Sequence, residues 1–324
     1  MFRRAIATGL VVSFLCCVGA MAQEKTYAER LGWPKGTKAL IIHSDDLGMC
    51  YEGIVGTEKA MEHGIVTSCS TMMPCPWVPG WAKYLKAHPN VDNGLHLTLT
   101  SEWDDYRWGP VAGKPAVPSL VDKEGCLWDN VALVNQHATA DDVEREIRAQ
   151  IDRAQTMGLT ITHLDSHMGT LFSNPEYFKR YVKVGIEKHI PILIIGNHGY
   201  LSHKYEPEVV KLGKLGLAQK VWDAGLPVLD DATGQSYDWK TFPEKKKMVM
   251  QVLRNLHPGV TELIVHCTDA GEHFKHISSS GELRKADMKV MMDPDVKALV
   301  KKEGIVLTTW RELQQRRDKV GAGS

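Results

Sequence analysis

The chain has 324 residues, 39 basic against 39 acidic side chains, a formal net charge of zero and 43% hydrophobic residues. Balanced charge without a long run of either sign excludes the electrostatic footprint of a nucleic-acid binder or of a protein held on an anionic membrane. The length and apolar share suffice for one large hydrophobic core.

At the amino terminus Arg3 and Arg4 precede an apolar run from Gly9 to Ala20, and Ala20-Met21-Ala22 supplies small residues for a signal peptidase. The run is short for a membrane span and no second one follows, so export with cleavage after Ala22 is expected, without a stable membrane anchor. Residues 1–22 are thus read as a signal peptide and 23–324 as a single catalytic domain of a periplasmic or secreted protein.

Further along, β-branched runs alternate with helix-like stretches. Strands are expected at Ala39–Ser44, Thr67–Met73, Asn93–Leu99, Ile161–Ser166, Pro191–Ile195, Glu262–Cys267 and Ile305–Thr309. Helices are expected at about Tyr51–His63, Gly80–His88, Ala140–Met157, Pro175–Lys188, Pro243–Leu256 and Asp293–Lys302. Seven strands with intervening helices imply an α/β architecture with a parallel sheet, open or curled into a (β/α) barrel. An open doubly wound sheet would carry a glycine-rich turn after its first strand, whereas this chain has two aspartates there. Acidic and imidazole residues follow strands one, three, four and six, and they converge only if the strand ends ring a common mouth, which favours the barrel.

Two long connections, Thr100–Thr139 and Gly196–Phe242, leave from those same ends, where long loops are usually functional. The first carries Trp103, Tyr106, Arg107, Trp108 and Trp128. Its rings either stack on a sugar or pack the loop onto the barrel rim. His198 and His203 in the second read as ordinary polar loop residues. Beyond the leader there are five cysteines, Cys50, Cys69, Cys75, Cys126 and Cys267, without zinc-knuckle spacing. An oxidising compartment would permit one or two disulfides among them, and Cys50 and Cys267 are expected as small buried residues.

The chemistry lies in Asp45, Asp46, His96, His167 and His266. One aspartate with two histidines from different strands leaves open positions on a divalent ion. A second carboxylate beside them can act as general base, and a histidine opposite can protonate a leaving group. His163, Asp165 and His167 alternate along one strand and so share a face. His167 lies nearest the mouth, His163 reads as a satisfied core residue, and Asp165 either orients an imidazole or serves the barrel interior. With Trp103, Arg107 and Trp108, Asp165 completes the candidate substrate contacts. Asp45 and Asp46 are neighbours and would face opposite ways on an ideal strand, so the strand is expected to end there, with Gly48 allowing the turn.

These stretches resemble the YdjC-like carbohydrate deacetylases, which include the chitooligosaccharide deacetylases. The similarity rests on Ile41-Ile42-His43-Ser44-Asp45-Asp46-Leu47-Gly48, Gly64-Ile65-Val66-Thr67-Ser68, Gly94-Leu95-His96-Leu97-Thr98-Leu99-Thr100 and Thr162-His163-Leu164-Asp165-Ser166-His167. A tail from Arg284 through Asp293-Pro294 and Gly304-Ile305 to Leu313 follows the same pattern. The resemblance implies a barrel-like fold with seven parallel strands and metal-dependent removal of an acetyl group from an N-acetylated sugar. It implies Asp46, His96 and His167 as metal ligands, Asp45 as base and His266 as acid, with one zinc or magnesium ion, the donor set suiting zinc better. Departures from the family pattern fall at His43, Met168-Gly169-Thr170, Cys267 and near Ile54, around the metal triad. The expected partner is an acetylated sugar or oligosaccharide, and a homodimer is left open. Two other classes stay open: a hydrolase of another ester, lactone or amide on the same barrel, and a carbohydrate-binding protein without turnover.

Overall fold

The computed structural model describes residues 24–196, 199–205, 212–213 and 215–321. The expected leader, His198 and the side chain of His203 lie outside the described residues. Strands run over Lys38–Leu47 (β1), Ser68–Thr71 (β2), Asn93–Leu97 (β3), Leu164–Ser166 (β4), Asp231–Thr233 (β5), Gly259–Val265 (β6) and Val306–Leu307 (β7). Helices occupy Tyr27–Arg30 (α1), Tyr51–Glu62 (α2), Val78–Ala87 (α3), Val131–His137 (α4), Ala140–Thr156 (α5), Pro175–Lys188 (α6), Tyr200–Tyr205 (α7), Leu217–Asp223 (α8), Phe242–Arg254 (α9), Gly281–Met292 (α10), Pro294–Lys302 (α11) and Trp310–Gly321 (α12).

All strand pairs are parallel, in the order β4-β3-β2-β1-β6-β5, with β7 on β1. Between β4 and β5 the segment 191–195 makes single bridges to both sides, Leu164 to Ile192 and Ile195 to Leu229. The expected strand at Pro191–Ile195 is therefore a pair of bridges rather than a regular strand, and it completes the ring of a barrel. β5 was not anticipated, because it lies inside the long stretch read as a loop.

Alternation along the central strand sets the interior. Ala39 and Ile41 join an inner apolar cluster with Leu229, Val260 and Trp310, whereas Leu40 and Ile42 join an outer one with Leu253, Leu263, Met291 and Val296. With both faces covered, the strand reads as a continuous apolar run. The same parity sends His43 and Asp45 inward and Ser44 outward, where its hydroxyl meets Thr57 of α2 at 2.9 Å and accepts from the Cys267 amide. On β6 the parity sends Val260, Glu262 and then His266 inward. On β3 it sends Gly94 and His96 inward. The His163 ring lies so close to Gly94 that a Cβ there would fall 2.5 Å from it, so the approach of β3 to β4 requires glycine.

β1 does not end at the aspartates. Ser44 pairs with Cys69 and Leu47 with Thr71, so β1 holds one residue more than β2 between these pairs, a β-bulge. Asp46 occupies the left-handed region at φ 69°. Such a conformation costs a non-glycine residue on the order of 1 kcal/mol, and it turns Asp46 to the side that strand alternation would have denied it. This corrects the expected strand end: the chain solves the adjacent-aspartate problem by bulging within the strand, with Gly48 at φ 84° following.

The five described cysteines are all free thiols. Cys50, Cys69, Cys75 and Cys267 are buried, and Cys50 caps α2 by accepting from the Gly53 amide. Among the described residues no helix is long and apolar enough to cross a membrane.

Candidate active site

Five inward residues meet at the carboxyl ends of β1, β3, β4 and β6. The Asp46 Oδ1 lies 3.3 Å from His96 Nε2 and 3.2 Å from His167 Nδ1. Each histidine turns its other nitrogen to a carboxylate: His96 Nδ1 to Asp165 Oδ1 at 2.7 Å, and His167 Nε2 to Glu102 Oε1 at 2.9 Å. Such carboxylate partners fix the tautomer and aim the free lone pair of a metal-ligating imidazole. The second Asp46 oxygen accepts from Arg284 at 2.6 Å, and that guanidinium is itself buried and held by Ser280. Burial works against the Asp46 charge, yet Arg284 holds its carboxyl well below the usual range.

A metal ion fits these residues on the structure's own terms. The Asp46 Oδ1 is buried and has no hydrogen-bond partner, although two imidazole nitrogens converge on it. Asp46, His96 and His167 offer donor atoms within 4.8 Å of one another. One carboxylate oxygen and two oriented imidazoles form a coordinating set with sides left open.

Asp45 stands beside this triad without belonging to it. Its Oδ2 is 3.6 Å from His96 Nε2 and 3.8 Å from His266 Nε2, and its Oδ1 is 3.1 Å from His43 Nε2. The His43 ring is fully buried and lies between Ser68, Ser70 and Asp165. His266 is positioned through its backbone amide, which donates to Asp287 at 3.0 Å, and Asp287 forms a fully buried ion pair with Lys245. Burial, then Arg284, pushes His266 down to about 4. The Tyr237 ring packs edge-on against His266 at 5.0 Å and faces the Arg284 guanidinium at 5.4 Å.

His163 lies in the barrel interior, bonded to Thr162 and stacked on Trp310 at 5.1 Å, away from the triad. Beside it Glu262 accepts from the Trp310 indole, and burial pushes its carboxyl up to about 7.

A cavity of about 560 Å³ opens over the cluster. Trp103 and Asp165 line it, whereas Arg107 and Trp108 do not. The Arg107 guanidinium is spent on the Ser101 and Leu127 carbonyls and on Asp122, and the Trp108 indole donates to the Thr100 carbonyl at 2.9 Å. In the structure these two side chains hold the aromatic loop together instead of facing the cavity. Glu102, Tyr237 and Arg284 were missed as site residues. Glu102 sits five residues beyond β3, the strand carrying His96, directly after the Leu99-Thr100-Ser101 run, a proximity that could have flagged it. Arg284 comes from α10, a helix the sequence reading did not place.

Residues 39–302 match the profile of the family described as "YdjC-like protein". The chain belongs to that family. It is 26% identical over 279 residues to a carbohydrate deacetylase of Thermoanaerobacter pseudethanolicus, covering 86% of this chain and 100% of that protein. It is 30% identical over 162 residues to a chitooligosaccharide deacetylase of Yersinia enterocolitica, covering 48% of this chain and 59% of that one. Among solved structures, a putative cellobiose-phosphate cleavage protein from Enterococcus faecalis superposes with a TM-score of 0.72 at 22% identity, over 86% of this chain and 99% of that one. That likeness is one of fold. This YdjC-like chain thus has the expected parallel-stranded, barrel-like architecture, with the acidic and imidazole residues at its strand ends.

Proposed function

We propose that this YdjC-like protein is a metal-dependent deacetylase that removes an acetyl group from an N-acetylated sugar or oligosaccharide. The observation that carries the reading is the pairing of a second carboxylate, Asp45, with an Asp46-His96-His167 set whose imidazoles are each backed by a carboxylate. The deacetylase names of the similar proteins support the substrate class. Zinc suits two imidazoles and one carboxylate better than magnesium, which prefers oxygen shells.

When bound, a divalent ion would polarise the acyl oxygen and lower the pKa of the attacking water. Asp45 faces both the triad and His266 and is placed to accept the water's proton. His266, held neutral at pH 7, can donate to the departing nitrogen only after gaining a proton within the reaction, and Asp45 is the neighbour that would hold one. Arg284 keeps Asp46 ionised. Asp165 and Glu102 keep the two imidazoles aimed. Trp103 at the cavity wall is suited to lie against a sugar ring.

The leader read from Arg3 to Ala22 makes the periplasm or the cell exterior the proposed place of action. Acetate release across a panel of N- and O-acetylated mono- and oligosaccharides, with a chelator-treated control, tests the activity. Metal-dependent acetate is the expected result. Silence across the panel with metal bound would move the reading to another hydrolase or to a sugar-binding protein.

A further inference from the structure

The cavity above the cluster has two unlike walls. On one side the turn after β5 presents Gln235, Tyr237 and Asp238, next to His266 and Arg284. On the other, next to His167, stand Met168, Phe172 and Phe178, with Leu193 and Ile195, which share the inward face of their segment. This second wall follows from the barrel's construction. The segment 191–195 closes the ring between β4 and β5, and Phe172 and Phe178 pack edge-to-face at 5.9 Å just beyond the His167 turn. The nearby Ser166 hydroxyl is already committed, accepting from the Leu171 amide at 2.9 Å.

The chemistry fixes which half of an amide meets which wall, on the reading of the site given above. Hydrolysis adds water's oxygen to the acyl carbon and breaks the C–N bond, giving a carboxylic acid and an amine whose nitrogen gains the proton. The group that protonates the nitrogen is His266, so the amine half, the sugar, lies on the polar Tyr237 side. The acyl half then points toward His167 and the apolar wall. An acetyl methyl would cover only a small part of that wall. The aliphatic side chains of Leu193 and Ile195 offer a sugar's hydroxyls no hydrogen-bond partner.

We infer that the wall formed by Phe172, Phe178, Leu193 and Ile195 is an acyl-chain site, and that the enzyme cleaves N-acyl sugars with linear acyl groups longer than acetyl. Each buried methylene should raise kcat/KM about fourfold until the wall is covered.

The test is a chain-length series of N-acyl glucosamines, from acetyl through butanoyl and hexanoyl to octanoyl, with free amine measured for the metal-loaded protein. A parallel series measures the affinity of the metal-loaded protein for acetate, butanoate, hexanoate and octanoate by calorimetry. The expected result is a rise with length in both, with a shallower slope in Ile195→Asn. Because the slope is the readout, a general loss of activity in that variant leaves the comparison valid. A flat or falling series on the metal-loaded protein overturns the acyl-chain site while leaving deacetylation intact. A gain from an octyl aglycone on an N-acetyl sugar, with none from a longer acyl group, also overturns it, since the wall would then face the sugar's substituent. If no N-acyl sugar is cleaved at all, the proposed hydrolysis fails, and the carboxylate series alone decides the wall: hexanoate binding no tighter than acetate overturns it.

Discussion

Asp45 and Asp46 show how strongly local geometry divides the work of two identical side chains. Asp46 is locked by Arg284 and aimed at two imidazoles, whereas Asp45 keeps a side facing His266 and no guanidinium. Asp45→Asn should therefore retain its metal, measured by elemental analysis of the purified protein, and lose about two to four orders of magnitude in turnover. Loss of the metal instead would mean that the two roles are exchanged. The His167–Glu102 contact at 2.9 Å makes a parallel claim. Glu102→Gln keeps the size of the side chain but removes the charge that fixes the imidazole, so metal affinity should fall roughly 10- to 100-fold. A titration against a competing chelator reads this without any substrate, and an unchanged affinity would take Glu102 out of the metal centre.

At the scale of elements, strand alternation made much of the site legible. Once β1 is a buried strand, parity sends His43 and Asp45 inward, and the same rule brings in His96 on β3 and His266 just past the end of β6. It failed at Asp46, because a left-handed residue inside a bulge is settled by the register of β1 against β2, which lies 20 or more residues away and leaves no local pattern. It failed also for Arg284, whose helix α10 has apolar, charged and buried polar residues on a broadly covered face and so gives a weak periodic signal. β5 was hidden because a three-residue strand is shorter than the pattern that reveals one. The α5–α6 contact can be tested by pH. Glu144 on α5 meets Arg148 at 2.7 Å and, from α6, Arg180 at 2.8 Å and Lys183 at 2.9 Å. Burial opposes its charge, but Lys183, Arg148 and Arg180 bring it from 4.5 to about 2. A depressed carboxylate stabilises the fold fully above its unfolded value and loses that contribution as pH falls through the folded one. Glu144→Gln should thus cost about 1 kcal/mol at pH 7, the partners being half exposed. The gap to the parent protein should close between about pH 4.5 and 2 in denaturant titrations. A gap that stays constant over that window would assign the loss to packing.

Across the whole molecule, the barrel concentrates buried charge at one end of its strands: burial works against charge on His96 and His167, yet the carboxylates around them raise both, His167 to about 9. Asp45, Asp46, Glu102 and Asp165 line one cavity, and Arg284 is the guanidinium set directly against them. A divalent cation held by Asp46, His96 and His167 would take the place of the protons on those imidazoles and at the same time tie β1, β3 and β4 together, adding to the backbone ladders and to the Asp165 contacts with His43 and His96. Binding to the folded state alone stabilises it by RT ln(1 + [M]/Kd), about 2.7 kcal/mol at a hundredfold excess over Kd. For a chain of this size that corresponds to a rise in melting temperature on the order of 5 °C. The rise should be seen when zinc is added to chelator-treated protein in a thermal scan, and His96→Ala should abolish most of it whatever its own starting stability. An equal rise in His96→Ala would place the cation elsewhere, and with it would fall the link between the four strand ends and the chemistry assigned to them.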